Sequence, residues 1–256
     1  MKPRALILHA VGTNRDRDAA LAVELAGGEP EIVPLNLLKN GARRWEDYQV
    51  LVIPGGFSYA DALGAGRLLA LDLKVYFSEE VRRFVASGKP VIGICNGFQA
   101  LVKAGILPEL SGGIEPSATL TFNASGRFEC RWVTLLPKSS TCLWTRDLKG
   151  PVDSPVAHGE GNFVLKDPIY LEKLAAHDQI ALVYAYPDGE AAGDVYPHNP
   201  NGSTAGIAGI CNPQGNVLGL MPHPENYIYP YQHPRRSGSD FGRSGLALFV
   251  NGIRAA

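Results

Sequence analysis

The 256-residue chain carries almost no net charge: 24 Lys and Arg stand against 25 Asp and Glu, a formal −1. It therefore has neither a basic field for a polynucleotide backbone nor an acidic tail, and nucleic-acid binding is excluded as its main task. Long hydrophobic runs are missing too. No stretch approaches the roughly 18 apolar residues that span a bilayer, and the run from Ala5 to Val11 is broken by His9 and lacks a small-residue cleavage site. The chain reads as soluble, unexported and cytoplasmic, with no membrane partner. Sulfur is sparse: Cys95, Cys130, Cys142 and Cys211 are irregularly spaced, with no C-x-x-C pair. Neither a zinc site nor a dithiol switch is encoded, which fits a reduced compartment and no metal ligand set. No repeat and no low-complexity linker divides the chain, so it reads as one domain, 1–256.

What is present is globular: 45% apolar and 19% charged residues, with 29 Gly and 19 Pro spread throughout. The first half alternates short apolar runs with amphipathic segments. Residues 5–8 predict a strand, 17–26 a helix stopped by Gly27-Gly28, and 32–33 a second strand. Val50-Leu51-Val52-Ile53 reads as a strand buried on both faces that enters a tight turn at Pro54-Gly55-Gly56. Ser78 is placed as the cap of a helix with Glu79 and Glu80 in its first turn and Gly88 past its end. Residues 90–94 predict a strand and 96–104 the helix after it. This alternation specifies an α/β fold: a parallel sheet with helices on both faces. Further on, 119–122 and 128–136 look like a hairpin through Asn123-Ala124-Ser125-Gly126, and 137–155 like a surface loop. Strands at 180–184, 205–211 and 216–221 would add an antiparallel β extension, with a closing helix at 242–253.

The strongest chemical signal is Gly93-Ile94-Cys95-Asn96-Gly97, set between a buried strand and a helix. Glycines on both sides allow a sharp turn that thrusts the cysteine above the sheet edge, where exposed helix N–H groups favour the thiolate. The bland alternative is a small buried hydrophobe, the reading given to Cys130, Cys142 and Cys211. A thiol nucleophile needs a base, and six histidines are available. His223 lies in Met221-Pro222-His223-Pro224-Glu225, directly after an apolar strand. In extended backbone the Glu225 side chain projects to the same face and can orient the imidazole, although a solvated Pro-rich turn has the same composition. His158, inside Ala157-His158-Gly159-Glu160-Gly161, is the second choice as base, its glycine-rich loop reading more naturally as a contact surface. For a developing oxyanion, the N–H groups of Gly56 and Asn96 are candidates at the carboxyl edge of the sheet, Gly55-Gly56 being otherwise a plain tight turn. No lysine follows it at Walker spacing.

Three segments in this order, Pro54-Gly55-Gly56, Gly93-Ile94-Cys95-Asn96-Gly97-Phe98-Gln99 and Pro222-His223-Pro224-Glu225, resemble the triad-type (class I) glutamine amidotransferases. Gly12-Thr13-Asn14, Phe57-Ser58-Tyr59, Ser125 to Cys130, Ala157 to Gly161 and Gly209 to Pro213 narrow the likeness, over nearly the whole chain, to the glutaminase subunits of phosphoribosylformylglycinamidine (FGAM) synthases. The resemblance implies a flavodoxin-like sheet and release of ammonia from glutamine through a thioester on Cys95, with His223 moving protons and Glu225 holding it. It implies oxyanion donors at Gly56 and Asn96 and glutamine contacts at Gly55, Phe57 and Gln99. No cofactor is implied in this chain. ATP and magnesium belong to a large synthetase subunit, the expected partner, beside which a small accessory subunit has a place. The segment Tyr59-Ala60-Asp61-Ala62-Leu63-Gly64 departs from the common pattern, which has glycine at 60, an aromatic at 62 and arginine at 64. Competing readings are a glutaminase serving another synthetase, a catalytically silent subunit of such a complex, and a cysteine-elbow hydrolase or chaperone-like protein. The last usually carries histidine where this chain has Asn96. Asn199-Pro200-Asn201-Gly202 and the tail 226–236 are assigned to surface structure, with partner contact by the amphipathic tail as the alternative.

Overall fold

The computed structural model of the chain describes residues 1–110, 117–235 and 241–256. Its first strands are β1 (Arg4–His9), β2 (Glu29–Pro34), β3 (Val50–Ile53) and β4 (Val91–Ile94). Between them lie helices α1 (Asp16–Leu25), α2 (Leu35–Lys39), α3 (Arg67–Val75) and α4 (Ser78–Ala86). Helix α5 (Asn96–Lys103) follows β4 with one intervening residue, Cys95. All four residues of β3 and all four of β4 are buried, as continuous runs without polar residues require when both faces are covered.

The middle contributes β5 (Ala118–Thr121), β6 (Glu129–Pro137), β7 (Val152–His158), β8 (Asn162–Leu165), α6 (Ile169–Ala176) and β9 (Ile180–Ala185). The chain closes with β10 (Ile207–Cys211), β11 (Val217–Leu220) and α7 (Leu246–Arg254). Nine strands form one sheet in the order β2-β1-β3-β4-β11-β10-β9-β6-β7. From β2 to β11 every neighbouring pair is parallel; from β11 to β7 every pair is antiparallel. The connections β1-α1-β2 and β3-α3-α4-β4 leave in opposite directions, so right-handed crossovers put α1 and α3/α4 on opposite faces. Gly55, Cys95 and Met221 emerge side by side at the carboxyl ends of the adjacent parallel strands β3, β4 and β11.

The α/β half and the antiparallel extension follow the sequence reading, but five details do not. The 119–136 hairpin is absent: β5 pairs with β8, and β6 with β7 and β9. The turn between β5 and β6 does form, with Gly126 N–H donating to Asn123 O at 2.8 Å, yet the Asn123 side chain donates to the carbonyls of Arg127 and His158, each at 2.8 Å. Tied to the end of β7, the turn lets its two arms diverge. Residues 137–155 are no surface loop either, since Cys142 is buried, Trp144 is buried against Gly252 of α7, and the segment runs into β7. Ser78 opens α4 without capping it; the cap position is Phe77, and no side chain bonds the helix end. Finally, Asn199, Asn201, Tyr227 and Ile228 are buried rather than superficial, while Arg236 lies outside the described residues. Cys142 and Cys211 are buried as read, but Cys130 is exposed. Among the described residues no helix is long and apolar enough to cross a membrane.

Candidate active site

Cys95 occupies the bend between β4 and α5 with φ 49° and ψ −103°, a backbone conformation that costs a non-glycine residue free energy. Tight packing around it makes the bend unavoidable. A β-carbon on Gly97 would stand 1.9 Å from the Ile53 carbonyl oxygen, and one on Gly93 2.4 Å from Leu101. The Cys95 N–H donates to Leu220 O at 2.8 Å, tying the elbow to β11. The sulfur lies 4.0 Å from the Ala157 carbonyl oxygen.

His223 follows β11, held between two prolines, with its N–H donating to Pro155 O on β7 at 2.8 Å. Its Nδ1 lies 2.7 Å from Glu225 Oε1, and both side chains are sealed from solvent. Burial disfavours the charged imidazole, but the Glu225 carboxylate and then the Cys95 sulfur outweigh it and push His223 up to about 10. The imidazole thus holds a proton at neutral pH between the Glu225 carboxylate and the Cys95 sulfur. A β-carbon on Gly55 would stand 2.6 Å from His223 Cε1 and 3.4 Å from Cys95 Cβ, so only glycine lets β3's turn pass between them.

A cavity of about 160 Å³ opens on the sulfur, lined among others by Gly56, Phe57, Asp61, Gln99, His158 and Glu160. Phe57, Phe122 and Phe128 form an exposed apolar rim. Gly56 adopts φ 131°, open to glycine alone, and Asn96 stands in the first turn of α5, where N–H groups have no intrahelical acceptor. Gln99 Nε2 donates to Glu160 O at 2.6 Å, and its Oε1 accepts from Asn96 Nδ2 at 3.1 Å. Deeper in, burial and the neighbouring Glu160 raise the Asp61 carboxyl above its ordinary value. Among the described residues no group of three or more His, Cys, Asp or Glu side chains is arranged to hold a metal ion.

His158 is not on a contact surface: it is buried, and burial followed by the charge of His223 pushes it down to about 3. Asn201 Oδ1 accepts the Ser203 N–H at 3.1 Å, which points its amide nitrogen at His158 Nε2, 3.2 Å away. The imidazole is therefore neutral, with its proton on Nδ1. That arrangement makes it a poor base beside His223. The sequence reading brought together Cys95, His223, Glu225, Gly55, Gly56, Phe57, Asn96 and Gln99, and all converge here. It missed Ser58, the cavity-lining Asp61 and Glu160, and the Asn201 support, for which the only signals were isolated polar residues in glycine-rich turns.

The chain belongs to the CobB/CobQ-like glutamine amidotransferase domain family, which matches residues 2–254. Among curated proteins it is 61% identical, over 89% of each chain, to the phosphoribosylformylglycinamidine synthase subunit PurQ of Treponema denticola. It is 43% identical to that of Dehalococcoides mccartyi, covering 100% of this chain and 98% of the other. A solved structure of PurLQS from Thermotoga maritima superposes with a TM-score of 0.74 at 32% identity, covering 99% of each chain. A glutamine amidotransferase of solved structure, also from Thermotoga maritima, shares the fold, with a TM-score of 0.51 at 16% identity over 91% of this chain and 79% of the other.

Proposed function

We propose that this chain is the glutaminase subunit of a phosphoribosylformylglycinamidine synthase and that Cys95, His223 and Glu225 carry its chemistry. The Cys95 thiolate attacks the carboxamide carbon of glutamine, forming a C–S bond and a tetrahedral oxyanion that accepts hydrogen bonds from the Gly56 and Asn96 N–H groups. The His223 imidazolium passes its proton to the leaving nitrogen, the C–N bond breaks, and ammonia departs. His223, neutral again and held by Glu225, then takes a proton from water; the hydroxide adds to the thioester, the C–S bond breaks, and glutamate leaves. Asp61 and Glu160 supply negative charge for the α-ammonium group of glutamine, while Phe57 and Gln99 shape the cavity.

The observation that carries this reading is the ion-paired His223, buried between the sulfur and Glu225 at the carboxyl edge of three adjacent parallel strands. The likeness to PurQ subunits and to PurLQS supports two partners in the cytoplasm, a large synthetase subunit together with a small accessory one. In this reading the synthetase holds ATP and magnesium and uses the ammonia to convert formylglycinamide ribonucleotide to the amidine. Glutamine labelled at its amide nitrogen, supplied to the reconstituted complex, should deliver the label into formylglycinamidine ribonucleotide. Label released only to solvent, or passed to another acceptor, contradicts the assignment.

A further inference from the structure

The residue after the nucleophile is asparagine, and its side chain does more than fill space. The Asn96 carboxamide is saturated and buried: Oδ1 accepts the Ser58 hydroxyl at 2.6 Å and the Ser58 N–H at 3.3 Å, while Nδ2 donates to Asp61 Oδ1 and Gln99 Oε1, each at 3.1 Å. Both Ser58 and Asn96 are 2% exposed. The two proposed oxyanion donors come from different segments, Gly56 from the turn after β3 and Asn96 from the start of α5. Residues 57–59 are laced between two walls. On one side the N–H groups of Phe57 and Tyr59 donate to Gly12 O at 3.1 Å and Val11 O at 2.6 Å; on the other, Ser58 is held by Asn96. The turn bearing the Gly56 N–H is thus tied directly to the residue bearing the second N–H.

We infer that the Asn96 side chain and Ser58 form a brace that fixes the spacing of the two oxyanion-binding N–H groups. The inference rests on the thioester reading above and assigns Ser58 and the Asn96 carboxamide as positioning residues. An oxyanion donor works only when it stands about 2.7–3.1 Å from the developing charge, and misplacement by about 1 Å costs on the order of a hundredfold in rate. The brace also accounts for asparagine at 96: an aliphatic residue there would leave a buried hydroxyl and a buried N–H of Ser58 without acceptors.

The test is a double-mutant cycle in the reconstituted complex using Ser58→Ala, Asn96→Ala and the pair. Asn96→Ala keeps the backbone N–H and removes only the carboxamide. Each single change should lower kcat for glutamine about 10- to 100-fold with KM within about threefold, and the pair should lose no more than either alone because the two act as one unit. Alkylation of Cys95 by iodoacetamide, which needs the thiolate but forms no carbonyl oxyanion, should stay within about twofold of the parent. Unchanged kcat, losses that multiply, or alkylation that falls in step with turnover would each overturn the brace. Ammonia-dependent synthesis by the same complexes reports assembly, and Ser58→Ala, which removes a single hydroxyl, carries the comparison alone if Asn96→Ala does not assemble. Glutaminase activity surviving Cys95→Ala would defeat the underlying thioester reading instead, whatever the brace variants do.

Discussion

Gly55 presents a bare Cα to His223: a β-carbon there would stand 2.6 Å from Cε1 and 3.2 Å from Nδ1 of the imidazole. The ring cannot retreat, because its Nδ1 is fixed to Glu225 and the residue is buried. Gly55→Ala should therefore cut glutamine-dependent synthesis by at least about 100-fold, the scale expected when a proton-transfer group is displaced, while ammonia-dependent synthesis persists. Near-normal glutamine activity in Gly55→Ala would show that the imidazole is free to move and is not held as described.

Two buried histidines with opposite shifts predict a stability maximum. His223 is raised to about 10 in the folded chain, so between its unfolded value near 6.5 and about 10 the folded state binds the extra proton, and stability falls as pH rises through that window. His158 is lowered to about 3, so below about 6.5 the unfolded state binds the extra proton and stability falls as pH drops. Urea unfolding of the isolated chain should show a maximum near pH 6.5, with flanks of up to about 1 kcal/mol per pH unit. In Glu225→Gln the alkaline flank should flatten, since the first force raising His223 is gone. An unaltered alkaline flank in that variant would place its origin elsewhere.

The segment that departs from the common family pattern is also the strained one. Tyr59, Ala60, Asp61 and Leu63 all take φ between 52° and 65°, a left-handed conformation that costs an L-residue roughly 1 kcal/mol or more. Glycine escapes that cost but loses more backbone entropy on folding, about 0.5–1 kcal/mol. Ala60→Gly should therefore leave stability unchanged or raise it by up to about 1 kcal/mol, read as a rise of up to a few degrees in Tm. A clear fall in Tm would mean that the Ala60 methyl makes contacts worth more than the strain.

The parallel half was legible in the sequence because strands covered on both faces must be continuous apolar runs, as in Val50 to Ile53, and because glycines flank Cys95 where the backbone has to turn. The meeting of Cys95, His223 and Glu225 was legible for a related reason: Cys95 directly follows β4, and His223 and Glu225 lie in the turn after β11. The middle was not. Pairing of β5 with β8 spans some forty residues and is supported by packing on α5, where Phe98 and Phe163 stack at 6.1 Å, which no local alternation encodes. The left-handed residues 59–61 and 63 were hidden because they are not glycines. Asn201 was read as a surface turn because a buried asparagine whose hydrogen bonds are satisfied looks the same in sequence as a solvated one.

The central claim is that Cys95 supplies ammonia and nothing else. It is tested most directly by assembling Cys95→Ala with its synthetase and measuring formylglycinamidine ribonucleotide synthesis from glutamine and from ammonium salt in parallel. Synthesis from glutamine should be lost while synthesis from ammonia continues at the parental rate. Retention of glutamine-dependent synthesis, or loss of both in an assembled complex, would contradict the account.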